Sequence, residues 1–257
     1  PDPWNRVVRR LLSLRLLQVT PGVDGAGQPR VVRIHRLVQE LMLRDCDGTE
    51  REALQRAVDK WMEQRAAALA ETTRWEEVRW ELEPFTAMAV QWAEQNHPRA
   101  SWLLIHAGQR RHDLAEWIQA EPLMRRALAI EEARYGLEHP KVAIGLHNLA
   151  QLLQATNRLP EAEPLMRRAL AIDEASYEPK HRKVAACLNN LATLLQDTNR
   201  LPEAELLMRQ ALKITKASYG PKHPNVATCL NNLAILLQAT NRLPEAELLM
   251  RQALKIT

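Results

Sequence analysis

The sequence predicts an all-α protein: an array of stacked helix pairs, preceded by connecting helices and a short segment holding one β-hairpin. Three observations lead there. The composition favours Leu, Ala, Glu, Gln and Arg, the good helix formers, with only eight Gly, one Phe and three Tyr in 257 residues. That balance disfavours sheets, which draw on aromatics and tight glycine turns. The stretch LNNLATLLQDTNRLPEAELLMRQALKIT, starting at Leu188, returns barely altered at Leu230, 42 positions on. Within each copy the apolar residues recur at helical spacing behind a proline.

The first elements, in chain order, do not repeat. Residues 3–14, PWNRVVRRLLSL, have a helical pattern. LRLLQV and RVVRIH flank a Gly/Pro-rich loop and read as a hairpin, and RLVQELMLRD returns to helix. Helix, hairpin and helix together read as the tail of a winged helix over 1–48. Residues 49–96 read as connecting helices, one over REALQRAVDKWMEQRAAALAE and one from Trp75 to about Gln95, with a break at Pro84. All seven Trp lie at or before Trp117, and Trp61, Trp75, Trp80 and Trp92 are expected to weld this connector to the first repeat.

Over 97–257 a fixed step takes over. His97, His139, His181 and His223 lie 42 residues apart, and Tyr135, Tyr177 and Tyr219 and Pro160, Pro202 and Pro244 keep the same interval. The units are 97–138, 139–180, 181–222 and an incomplete 223–257. In unit two, Pro140 suits a first helical turn, where its missing N–H is no loss. Val142, Leu146, Leu149, Ala150 and Leu153 form an apolar stripe, and Asn157 suits a left-handed stop. Pro160 opens a second helix whose apolar face is Ala162, Leu165, Met166, Ala169, Leu170 and Ile172, and Gly136 and Gly220 suit the ends of second helices. Neither helix can bury its stripe alone, so contacts between units must carry the stability. Unit one is degenerate: later units read Asn-Arg-Leu-Pro where it has Ala115-Glu116-Trp117-Ile118.

Leu146, Leu149, Ala150, Leu153, Ala162, Met166 and Ala169 are spaced as in the tetratricopeptide repeat (TPR), and the chain resembles that family in its kinesin-light-chain-like, 42-residue form. The resemblance implies a superhelix whose first helices line a concave groove that holds a peptide or protein partner. The groove positions carry over as His147 and Asn148, Asn189 and Asn190, and Asn231 and Asn232, then Gln151, Thr193 and Ile235, then Gln154, Gln196 and Gln238. Each amide offers a donor and an acceptor, which is what a peptide backbone needs. The second of each pair, Asn148, Asn190 and Asn232, is read as the ligand contact. The first, His147, Asn189 and Asn231, is read as a second set of peptide contacts, with a bond between units as the rival reading. The terminal Tyr residues are read as packing.

RIHRLVQE, residues 33–40, resembles the end of the winged helix in NB-ARC and NACHT (STAND) signalling ATPases, where a His touches the β-phosphate of ADP. His35 is the carried-over position, with Arg36 standing where the family has an acid. The resemblance implies a bacterial parent protein with a role like innate immunity, its ADP/ATP module outside this chain, since no GxxxxGK[ST] loop is present. His35 in this chain also reads as a plain strand-end residue.

Net charge is +4, with an isoelectric point near 9.1. Arg6, Arg9, Arg10 and Arg15 could give a winged helix a nucleic-acid stripe, but VVRRLLSLRLL reads as core more than as a reader. Cys46, Cys187 and Cys229 are too few for a disulfide framework, and a small buried role in a cytoplasmic protein is expected. No membrane span, leader, nucleophile elbow, HExxH or CxxC pair is present, so no catalytic, cofactor or metal site is expected. His106, His112 and Asp113 read as solvated or capping residues. The chain begins with Pro1 and ends inside a repeat, which reads as a piece of something longer. Its last helix pair is expected to expose an apolar face open to self-association.

Overall fold

Helix-forming composition and the 42-residue step give the architecture its regularity. The computed structural model describes residues 17–19, 32–34, 48–49, 56, 59–60, 62–64, 66–67, 69 and 82–256. The chain divides into two units, Pro1–Ala67 and Ala68–Thr257. In the first, β1 (Leu17–Val19) pairs antiparallel with β2 (Val32–Ile34), Leu17 opposite Ile34 and Val19 opposite Val32. The helices expected on either side of this pair, the loop between the strands and His35 lie outside the described residues. A two-stranded ladder alone does not make a winged helix.

The second unit is helical throughout its described elements: α1 (Leu82–Glu94), α2 (Ala100–Asp113), α3 (Trp117–Tyr135), α4 (Pro140–Ala155), α5 (Leu159–Ser176), α6 (Arg182–Asp197), α7 (Leu201–Tyr219), α8 (Pro224–Ala239) and α9 (Leu243–Leu254). The pairs α2/α3, α4/α5, α6/α7 and α8/α9 are the four repeats. Leu82–Glu94 is helical through Pro84, and the stretch just before it, where the expected helix from Trp75 would run, lies outside the described residues. Trp92 of α1 is buried and stacks on His97, with ring centroids 4.1 Å apart. Trp61, Trp75 and Trp80 lie outside the described residues.

Within every pair the chain turns through one left-handed residue. Asn157, Asn199 and Asn241 sit at φ of 58°, 60° and 59°, and Ala115 holds the same place in unit one at 57°. Asn tolerates this region because its short amide bonds locally, whereas Ala has no such compensation. Gly136 and Gly220 close α3 and α7 at φ of 83° and 86°. Pro160, Pro202 and Pro244 each occupy the second position of their helix.

One apolar core runs without interruption from Ala120 and Met124 of α3 to Ala246 of α9. Leu146, Leu149, Leu152 and Leu153 of α4 meet Met166 of α5, and fully buried Ala150, Ala162 and Ala169 let the helices approach closely. At roughly 1.5–3 kcal/mol per buried Leu-sized side chain, this core dominates the array's stability. No helix among the described residues is long and apolar enough to cross a membrane.

Candidate interaction site

The first helix of each pair leaves one face partly open. On α4 that face carries Ile144, His147, Gln151 and Gln154. On α6 it carries Asn189, Asn190, Thr193 and Gln196, and on α8 Asn231, Asn232, Ile235 and Gln238. Steps of three and four residues put each set on one side of its helix. The first helices also meet across the array, α2 touching α4 and α6 touching α8. Their open faces therefore join into a continuous wall lined mainly by neutral amides.

Two hydrogen bonds join the amide pairs of neighbouring repeats along this wall. Asn190 Nδ2 lies 2.8 Å from His147 Nε2, and Asn232 Nδ2 donates to Asn189 Oδ1 at 3.2 Å. Burial pushes the His147 imidazole down, outweighing the upward pull of Asp173, so the ring is neutral and its Nε2 can accept. From sequence, an inter-repeat bond is the rival reading of the first position of each pair, and the second is the ligand contact. In the structure the second amide of one repeat bonds the first position of the repeat before, so both share the inter-repeat role. The series breaks once. Asn148 should find its partner at position 105, which is Ile. Its Nδ2 is buried and has no hydrogen-bond partner, and the residue is only 8 % exposed.

At that break the wall opens into a cleft of about 530 Å³ between α2, α4 and α6, lined among others by Gln109, His112, Asn148, Gln151 and Asp197. This lies within the roughly 300–1,000 Å³ usual for ligand sites. Gln154 Nε2 donates to Asp197 Oδ2 at 2.6 Å across its edge, and Arg110 pairs with Asp113 at 3.1 Å. His112 and Asp113, read from sequence as solvated or capping, thus border a cavity, and His112 Nε2 is buried without a partner. His106 is half-buried against Trp102, and burial followed by Arg110 pushes its imidazole down. Smaller hollows of about 150 and 240 Å³ lie farther along the wall, one beside His147 and Cys187 and one beside Asn189, Asn190 and Cys229. Cys187 and Cys229 are buried, as expected. Burial, and then Asp173, push the Cys187 thiol up, so it donates to Asp173 Oδ2 at 3.1 Å and is no nucleophile. No group of His, Cys, Asp and Glu suited to a metal occurs among the described residues.

The tetratricopeptide-repeat family model matches residues 99–175, 142–217 and 207–257. The chain belongs to the tetratricopeptide-repeat family. Its fold resembles a Podosopora anserina kinesin-light-chain protein with nearly identical TPR-like repeats, at 22 % identity and a TM-score of 0.62, over 76 % of this chain and 94 % of that one. It also resembles BtubC (BKLC) from P. vanneervenii, at 24 % identity and a TM-score of 0.58, over 68 % and 73 % of the two chains. A MamA RS-1 double mutant aligns at 12 % identity and a TM-score of 0.52, over 77 % and 93 %. These likenesses are of fold. No curated protein matches the chain closely enough to count as a relative. TPR repeats generally mediate protein–protein interaction.

Two features of the TPR array are not anticipated from the sequence. The repeated His residues are helix N-caps: Nδ1 of His139, His181 and His223 accepts from the backbone N–H two residues on, at 3.2, 3.3 and 3.1 Å. Each also stacks on the Tyr ending the previous helix, with centroids 4.7, 4.3 and 4.3 Å apart, so the Tyr residues do serve packing. The second feature is a chain of ion quartets on the second helices. Arg158 bonds both Glu121 of α3 and Glu161 of α5, while Arg125 pairs with Glu121 and approaches Glu161 at 3.8 Å. Glu163, Arg167, Arg200 and Glu203 repeat the arrangement, as do Glu205, Arg209, Arg242 and Glu245. The signal was available: Arg and Glu in RLPEAE lie three residues apart and recur every 42.

Proposed function

We propose that the first-helix wall binds an extended peptide or protein segment and that the chain is the sensor part of a STAND-type signalling ATPase. The observation that carries the binding reading is the column of partly open amides beside three hollows in one wall. Gln151, Asn231 and Gln238 are exposed, while His147, Asn189, Asn190, Asn232, Gln154 and Gln196 are half-buried and Asn148 is buried. A backbone laid along such a wall meets donors and acceptors at each repeat. Each bond nets only about 0.5–1.5 kcal/mol, so affinity requires several repeats together. The STAND reading rests on the spelling of residues 33–40 and on a strand, β2, ending just before His35.

The test is selection of peptides from an unbiased display library on the immobilised protein, with affinities by fluorescence anisotropy. Gln151→Arg with Asn231→Arg alters two exposed wall positions and should weaken binding at least about tenfold with an unchanged Tm. Glu174→Arg, exposed on α5, should do nothing. If no peptide is selected, or the wall variant binds as well as wild type, the reading fails.

A second reading has its own observation. Leu243, Leu248 and Leu254 of α9 are 55 %, 56 % and 75 % exposed. They offer an apolar face for self-association, which light scattering against concentration would detect.

A further inference from the structure

Where the amide series is complete, the second Asn of each pair bonds the repeat before; where it is broken, one buried amide nitrogen has no partner among the described residues. Asn190 and Asn232 each commit one Nδ2 N–H, to His147 and Asn189. Asn148 cannot do so because the matching position in unit one is Ile105. A buried amide donor without an acceptor is destabilising, and an incoming acceptor would remove that cost. Asn148 lines the cleft of about 530 Å³.

Charge singles out the same cleft. The position at the end of each first helix is Asp113, Ala155, Asp197 and Ala239 in units one to four, so the acids flank the unit that holds Asn148. Arg110 answers Asp113 at 3.1 Å. Asp197 is exposed and receives only the neutral Gln154 amide, with no cation paired to it among the described residues. A neutral donor leaves the carboxylate's charge uncancelled. The cleft therefore sets the buried Asn148 amide, with the buried His112 Nε2 on its border, beside an exposed carboxylate that has no cation among the described residues.

We propose that this cleft is a subsite for a basic residue of an extended peptide: a backbone carbonyl accepts from Asn148 Nδ2, and the Lys or Arg side chain sits against Asp197. The assignment rests on the peptide-binding reading above and sharpens it. Asn148 is the amide of its series left for a ligand, and the ligand's register is set at units one to three. The remaining wall positions supply extent more than selectivity.

The probe is the set of 12-residue peptides selected on the wild-type protein. The selected pool should be enriched in Lys and Arg over the input library. Replacing the recurrent basic residue by Gln, or Asp197→Asn in the protein, should weaken binding about five- to tenfold. Asn148→Leu should weaken it comparably. Ile105→Asn gives Asn148 an acceptor within the chain, as Asn189 does for Asn232, and should also weaken binding while leaving Tm equal or higher. This second variant separates loss of the donor from damage to the helix. A pool enriched in Asp and Glu, or unchanged affinity in both Asn148→Leu and Ile105→Asn, overturns the assignment. If Gln151→Arg with Asn231→Arg abolishes binding and these variants do not, the wall binds peptides and the subsite is wrong.

Discussion

Unit one and the three units after it share one backbone path but face different neighbours, and their spelling differs where that matters. Units two to four bury Leu153, Leu195 and Leu237 at a position where unit one buries Arg111. They place Arg158, Arg200 and Arg242 before the second helix, where unit one has Glu116. The charge has moved from the outer quartet into the helix pair. Arg111 reaches Glu83 and Glu116 at 2.8 Å each and Thr86 Oγ1 at 3.3 Å, and so ties α1 to both helices of unit one. A repeat that meets another repeat can use a generic apolar seam. The repeat that meets a non-repeating helix uses a directed, fully occupied guanidinium.

The largest expected effect breaks that difference. Arg111→Leu writes the later units' residue into unit one and removes the buried guanidinium that bonds Glu83, Glu116 and Thr86. Breaking a buried pair from one side costs about 3–5 kcal/mol, so the urea midpoint should fall sharply. Adding Glu116→Arg, the later units' residue at that place, completes the later units' spelling of this corner and should recover part of the loss. An Arg111→Leu protein as stable as wild type would mean that the clamp does not join α1 to the array.

A smaller effect sharpens the comparison. Ala115 takes the left-handed conformation that Asn takes in the other three repeats. For Ala that conformation costs roughly 1–2 kcal/mol, part of which Asn relieves. Ala115→Asn should therefore raise Tm, and Asn157→Ala should lower it by a similar amount. Equal Tm values in all three proteins would show that unit one has relaxed around its Ala.

How much of this could be read from the residues alone varies with the physics involved. The 42-residue step, the left-handed Asn, the terminal Gly and the buried Cys187 and Cys229 were legible, because period, proline and backbone conformation are local properties. The wall was legible as a face, since three- and four-residue spacing places Asn189, Thr193 and Gln196 together. What stayed hidden were the partners. Whether Asn190 bonds a ligand or His147 depends on the offset between α4 and α6, and that offset is set by packing of Ala and Leu in the core. Arg111 and Glu83 lie 28 residues apart and outside the repeat register, so no periodicity joins them.

The smallest effect separates the two sides of the array, amides on one and ions on the other. Burial pushes Glu163 and Glu205 up, but their paired arginines outweigh it and hold both carboxyls below the ordinary carboxylate range. For Glu203 and Glu245 the arginine bonds are the leading cause, in the same direction. A carboxyl depressed by folding stabilises the fold above its unfolded pKa and loses that contribution as pH falls through the folded value. Tm should thus hold near neutral pH and decline once acid reaches and passes below the ordinary carboxylate range. These carboxylates are half-buried and their arginines more exposed, so solvent screening still keeps each pair weak, and molar salt at neutral pH should lower Tm by only about a few degrees. Arg200→Gln with Arg242→Gln removes one cation from each of two quartets and should flatten the acid limb of the Tm profile. The same change should leave peptide binding at the amide wall intact, because the quartets lie on the second helices and the wall on the first. A pair of variants that lost binding along with the acid limb would show that the two sides are coupled, with the ions setting the spacing of the amides.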